Sequence, residues 1–421
     1  MNRNTNSNSP IIIIGILFFI FGFVTWLNGP LITFVKLAFS LDTDSKAFLV
    51  TTAFYMAYFF LALPSSWILE KTGMKKGMAL GLLIMALGTF LFGQFATHRN
   101  YTAALIGLFI IGSGLSVLQT ASNPYISIIG PIESAAQRIS IMGICNKVAG
   151  ILSPIVLSFF VLKDIDKLEE KVNSAVDPAA RENILTEFAS TIYVPYVIMA
   201  VILGLLALWI LKSGLPEIKA SEVNVKPTGS DAKNKTSIFQ FPYLLLGALC
   251  IFVYVGVEVM AGDAIGTYGK GFNIPTDETK YFTSFTLGAM LVGYVTGLLA
   301  IPKYISQQKA LRISALLGIL FATAALFTTG YVSVVFVAAL GLANALMWPA
   351  IWPLAIDGLG KFTERGSALL IMGIAGGAII PKIFASLKDD FNFQWTFFAI
   401  MLPCYLYILF FATKGHKIGK G

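Results

Sequence analysis

The sequence predicts an all-α integral membrane protein with twelve transmembrane helices in two six-helix halves. Apolar residues make up 56% of the 421 residues and charged residues only 12%, where a soluble domain carries about a quarter charged residues. Mean hydropathy is +0.77, so lipid is the solvent for most of the chain. Twelve apolar stretches are each long enough to cross a bilayer. A polar stretch divides them six and six, and a short sequence recurs at corresponding places in the two sets.

In chain order the predicted spans are 11–38, 47–69, 76–97, 102–126, 139–162, 190–212, 241–268, 280–301, 310–328, 331–356, 366–387 and 393–413. Each meets the requirement of about 20 apolar residues per crossing. The first follows a polar, nearly uncharged start and shows no small-residue cleavage site, so it reads as a retained helix and not a signal peptide. Residues 163–189 form a long polar loop. Residues 213–238, with Pro216, Pro227 and Gly229, read as a flexible linker between an N-terminal half (1–212) and a C-terminal half (239–421). The repeat is Ile141-Met142-Gly143-Ile144 and Ile371-Met372-Gly373-Ile374. Arg138 and Arg365 precede the two copies and Pro154 and Pro381 follow them, with Gly130-Pro131 and Gly358, Gly360 further upstream. Two six-helix repeats imply alternating access to a site between the halves near mid-membrane.

An even number of spans puts both termini on one side. That side carries 18 of the Lys and Arg residues and the opposite side 10, with Lys147 and Lys382 inside spans. The bias predicts cytoplasmic termini and linker, and an external 163–189 loop. The net charge of +8 is then positive-inside bias and not a nucleic-acid surface. Cys145, Cys250 and Cys404 lie in apolar stretches with no CxxC, and His98 and His416 are the two histidines. This predicts no disulfide framework, no metal site, no cofactor and no hydrolytic triad, hence no enzyme. A monomer in the bilayer is expected, since nothing calls for an oligomer.

Polar groups at membrane depth are the candidate site, because a charge at a helix centre costs roughly 3 kcal/mol on insertion scales. The first span contains Asn28 before Gly29-Pro30, where a loosened helix could aim the amide at a cavity or at a freed carbonyl. In the fourth span Gln119 and Asn123 share a face; two amides, each donor and acceptor, suit a polyol, and they also suit helix–helix contact. The fifth contains Asn146 and Lys147, and Lys147 is too deep to snorkel. The seventh contains Tyr254, Glu258 and Asp263. Glu258 near mid-span is the candidate for a coupling cation or for pairing with Lys147, and Asp263 for coupling or gating. In the tenth, Asn344, Trp348 and Trp352 repeat every four residues, where indole faces can stack on a sugar ring or pack. Pro349 and Pro353 unwind that helix locally, as backbone lining a cavity permits.

The turn between the second and third spans reads Glu70-Lys71-Thr72-Gly73-Met74-Lys75-Lys76. Glu70, Lys71, Gly73 and Lys75 read as positive-inside anchoring or as a cytoplasmic latch between bundles. This turn resembles the acid–basic–x–Gly–x–basic–basic turn of the major facilitator superfamily, with Glu70 where Asp is commoner. Phe18 to Phe23, Leu118 to Tyr125 with Gly130-Pro131, and Tyr254 to Val259 resemble the fucose–galactose–glucose:cation symporter family, closest to its bacterial glucose/galactose permeases. The resemblance implies the major facilitator fold, a multi-pass protein of the bacterial inner membrane, and a centrally held monosaccharide driven by a sodium or proton gradient. It supports Asn28, Gln119, Asn123 and Asn146 as polar positions of the pattern. The chain departs from the proton-coupled fucose permeases, which carry an aspartate in helix 1 and a glutamate in helix 4: here Gly29 and Gln119 stand there, and neither can be protonated. Lys147 replaces a small polar residue of the fucose branch. The rivals are a permease for an N-acetylhexosamine, fucose or a disaccharide, and an uncoupled or exporting carrier. A membrane enzyme lacks a base or metal cluster, and a channel needs a ring of like groups.

Overall fold

The computed structural model describes residues 8–128, 135–217, 236–301, 303–359 and 362–420. Gly130-Pro131, Gly360 and residues 218–235 of the linker lie outside the described residues. Among those described, twelve helices are long and apolar enough to cross a membrane. They are α1 (Pro10–Ala38), α2 (Asp44–Thr72), α3 (Met74–Thr97), α4 (Tyr101–Ile128), α5 (Ala135–Phe160), α6 (Tyr193–Lys212), α7 (Pro242–Gly262), α8 (Thr276–Ala300), α9 (Gln307–Phe327), α10 (Gly330–Ile356), α11 (Arg365–Leu387) and α12 (Phe393–Thr413). Helices α1–α6 pack chiefly on one another, as do α7–α12, and the two sets meet where α5 lies on α8 and α2 on α11. Large apolar side chains such as Phe60, Phe159, Leu205 and Leu320 are exposed on the outside of the bundle, as a lipid-facing surface requires.

Two segments differ from expectation. The polar 163–189 stretch folds as two short helices, Ile165–Ser174 and Pro178–Ser190. Asp177 caps the second, accepting from the backbone N–H of Ala179 at 3.1 Å and of Ala180 at 3.3 Å, with Pro178 at the first helical position, where its missing N–H costs nothing. The seventh span stops at Gly262, and Ile265–Lys270 form a separate short helix.

Among the described residues five crossings are interrupted, α2 at Phe48 and α8 at Lys280–Tyr281 near their starts and three others further in. α1 breaks between Trp26 and Asn28, and α10 between Asn344 and Met347. Pro30 and Pro349 sit just past these breaks, where a missing N–H releases a carbonyl of the preceding turn. α11 narrows to a tighter 3₁₀ turn over Gly373–Ala375.

Twelve crossings put the start of α1 and the end of α12 at the same end of the bundle, here called the termini end. Contacts joining the two helix sets gather at the opposite, far end. Asp44 at the start of α2 pairs with Lys36 of its own half and, at 2.6 Å, with Lys388 of the other. Burial alone would lower the Lys388 ammonium, but Asp389 and Asp44 beside it hold it above its usual value. Ser45 and Ser386 hydroxyls are 2.9 Å apart, and Lys382 Nζ donates to Ser45 Oγ at 2.7 Å. The Asp166 carboxylate accepts from the backbone N–H of Thr276 and of Asp277, each at 3.0 Å. Lys280 Nζ donates to the Leu162 carbonyl at 2.8 Å. The far end is therefore closed in this conformer.

With the serine hydroxyls this close, Ser45→Cys/Ser386→Cys is expected to form a disulfide on mild oxidation, since the spacing falls within disulfide reach. Mass spectrometry of the cross-linked peptide checks it; two free thiols after oxidation would mean that the far end stands open.

Candidate functional site

Between the halves, at mid-depth and toward the termini end, lies a cavity of about 860 Å³ of empty space, its open mouth included. The walls come from α1, α2, α4 and α5 of the first half and α7, α8, α10 and α11 of the second.

The first half contributes amides. Gln119 lines the cavity from α4, and its Nε2 donates to the Tyr58 hydroxyl at 2.9 Å. Asn123 lines it one turn further on. Asn146 of α5 lines it with its Nδ2 3.4 Å from the Phe18 carbonyl. The opposite wall is aromatic. Tyr254 and Trp348 line it with ring centroids 6.3 Å apart, and Trp348 stacks on Trp352 at 5.3 Å and 27°. Trp352 is thus a backing for the wall and not part of the lining.

Lys147 and Glu258 line the same cavity from opposite halves, with Nζ 2.8 Å from Oε1. Both are buried. The ammonium also lies 4.4 Å from the Trp26 ring centroid, a cation–π distance. The pairing anticipated between α5 and α7 is therefore formed, and it bridges the halves at membrane depth.

Three candidates lie elsewhere. Asn344 is buried within the second half: its Oδ1 accepts from the Tyr405 hydroxyl at 2.9 Å and its Nδ2 is 3.5 Å from the Val257 carbonyl. This amide ties α10 to α12 and braces the break in α10. Asn28 lines a small separate cavity with Phe54 and Leu31, beside the break in α1. Asp263 is buried at the end of α7, where it lines another small cavity with Gly29 and Lys280.

The basic turn does not join the halves in this conformer. Gly73 has φ +78°, a backbone conformation that favours glycine. Glu217 Oε1 accepts from the Lys75 backbone N–H at 3.0 Å, and Lys75 Nζ donates to the Ser213 carbonyl at 2.7 Å. The turn clasps the segment after α6, within its own half. Glu70 and Lys71 are exposed beside it. Its acid partner in this conformer, Glu217, follows α6, and the latch between bundles stands as a proposal for a conformer in which the termini end is closed.

Sequence reasoning missed Trp26, Tyr55, Tyr58 and Tyr294, which also line the cavity. Tyr55 and Tyr58 are spaced three apart on one face of α2, a signal hidden by the many aromatics of the chain.

A bundle of twelve membrane helices in two sets, closed at one end around a polar and aromatic cavity, defines a carrier protein. Residues 14–381 match the family model for the Major Facilitator Superfamily, and the chain belongs to that family. It is 33% identical over 406 residues to a glucose/galactose transporter of Brucella abortus biovar 1 (strain 9-941), covering 96% of this chain and 93% of that one. It is 28% identical over 409 residues to an L-fucose-proton symporter of Escherichia coli (strain K12), covering 96% and 92%. The crystal structure of the transporter FucP in its outward conformation superposes with a TM-score of 0.74 at 26% identity, covering 96% of this chain and 97% of that one.

Removing one member of the Lys147–Glu258 pair leaves the other charge buried and alone, a loss of about 3–5 kcal/mol, whereas removing both is far milder. Lys147→Met and Glu258→Gln should each lower the thermal unfolding midpoint in detergent, and the double variant should regain most of it. Equal, additive losses would mean that the two side chains do not pair.

Proposed function

We propose that the protein imports a monosaccharide, glucose, galactose or a related hexose, by cation-coupled symport with alternating access. The observation that carries this reading is the cavity itself: amides of Gln119, Asn123 and Asn146 on one wall face Tyr254 and Trp348 on the other. Amides can both donate to and accept from ring hydroxyls, and an indole face packs on the apolar C–H face of a sugar. Relatives named as glucose/galactose transporters support the substrate class. Fucose is the runner-up, favoured by relatives named as L-fucose-proton symporters. An exporter of apolar compounds fits poorly with clustered amides.

In this reading residues 1–212 and 239–421 rock as two bodies joined by the 213–238 linker. The excess of Lys and Arg on the side of the termini supports a bacterial inner-membrane protein with cytoplasmic termini, so the cavity of this conformer faces the cytoplasm and the far end is external. Lys147–Glu258 is the tie that sugar binding loosens, because both heads line the sugar cavity. The coupling cation, sodium or proton, acts by neutralising a carboxylate between the halves.

Purified protein in liposomes is expected to exchange labelled glucose or galactose and to accumulate it under an inward cation gradient. Trp348→Ala should raise the KM about tenfold, as loss of one stacking contact of roughly 1–1.5 kcal/mol requires, with little change in maximal exchange rate. An unchanged KM would assign Trp348 to packing. Absence of uptake of glucose, galactose and fucose above empty liposomes would overturn the hexose assignment.

A further inference from the structure

Among the described residues two carboxylates are buried, Glu258 and Asp263. Glu258 is neutralised by Lys147 at 2.8 Å. Asp263 is not neutralised. It is 2% exposed, and neither carboxylate oxygen has a hydrogen-bond partner. It caps the C-terminal end of α7, its own N–H bonded to the Val259 carbonyl at 2.7 Å, where the last carbonyls carry partial negative charge. Across the interface it meets the break in α1: a side chain at Gly29 would come within 3.2 Å of Asp263 Oδ1. The Gly29 backbone N–H is the donor that faces the carboxylate, short of good hydrogen-bond geometry.

We propose that Asp263 is the proton-binding carboxylate of the transport cycle, and that taking up a proton is what lets the far end close. This rests on the symport reading above. An ionised carboxylate buried without a partner of its own is costly, so it must find a cation or a proton. The titratable groups facing it from the packed helices are Glu258 of its own helix, Lys147 of α5, Tyr55 of α2 and Lys280 at the start of α8. Lys147 is held by Glu258, and Lys280 by Asp277 and the Leu162 carbonyl. Neither is free to pair with Asp263. A metal cation is disfavoured because the Lys280 ammonium lines the same small cavity as Asp263. A proton needs no set of ligands.

The cycle follows from burial. With the far end open, water reaches Asp263, the carboxylate is ionised and the halves resist closing. Protonation converts it to a neutral acid and closure becomes possible. Loss of that proton toward the sugar cavity, past Tyr55 and Glu258 that line it, restores the charge and drives the far end to reopen.

Infrared spectroscopy of the purified protein, sugar-free, reads the carbonyl stretch of a protonated acid directly. The band is expected in the wild type and absent in Asp263→Asn. Its absence from the wild type, or its survival in Asp263→Asn, overturns the proposal. If Asp263→Asn does not fold, Asp263→Glu should shift the band, and an unmoved band overturns the assignment equally. In liposomes, Asp263→Asn should lose accumulation of labelled glucose or galactose under a pH gradient, and the alkalinisation that accompanies uptake, while still exchanging sugar without a gradient. Accumulation by Asp263→Asn under the pH gradient, or a wild type driven by sodium alone, overturns the proton site and leaves the sugar reading standing. A wild type that exchanges neither sugar overturns the sugar reading, and the infrared band then decides the proton site by itself.

Discussion

The ion pair between Lys147 and Glu258 organises the middle of this protein. It joins α5 to α7 across the two halves, inside the cavity and far from either end. Neither charge is tolerable alone at that depth, so each dictates the position of the other helix. Trp26, over the ammonium, draws the broken α1 into the same arrangement. The cavity walls are thus set by electrostatics as much as by packing, and whatever binds in the cavity must share these two heads.

Away from that pair, the contacts between halves are unevenly distributed. The far end holds Asp44–Lys388, Asp166 with the Thr276–Asp277 backbone, and Lys280 with the Leu162 carbonyl. The Asp44–Lys388 and Asp166 bonds are part-buried, where water can replace each partner as it separates, while the Lys280–Leu162 bond is buried; together they set the closed state. The basic turn with Gly73 and Lys75 has the opposite character. It binds Ser213 and Glu217 of its own half, which fixes where α6 hands over to the linker.

Much of this was legible in the sequence. Span number and approximate bounds followed from apolar run length, because a bilayer imposes one length scale on every crossing. Gln119, Asn123 and Asn146 were found because polar groups are rare at that depth, and the Lys147–Glu258 pairing because two buried charges need each other. What failed needed three-dimensional facts. Asn344 has the same i, i+4 spacing as Trp348, but the break in α10 turns it toward Tyr405 and away from the cavity. Tyr55, Tyr58 and Tyr294 were lost among many aromatics, since a cavity-facing ring and a packed ring look alike in one dimension. Glu217 was unrecognised because its partner turn lies in a distant part of the chain. The 163–189 segment was read from polarity alone, which misses short helices such as the one capped by Asp177.

The central claim is that the two halves alternate around a mid-membrane site, one end closing as the other opens. Spin labels in pairs across the far end and across the termini end, read by pulsed electron resonance in liposomes with and without saturating hexose, test it most directly. The account predicts two distance populations at each end, shifting in opposite directions: where the far-end distance lengthens, the termini-end distance shortens. Distances at the two ends that lengthen together, or a single unchanging population at both, would contradict it.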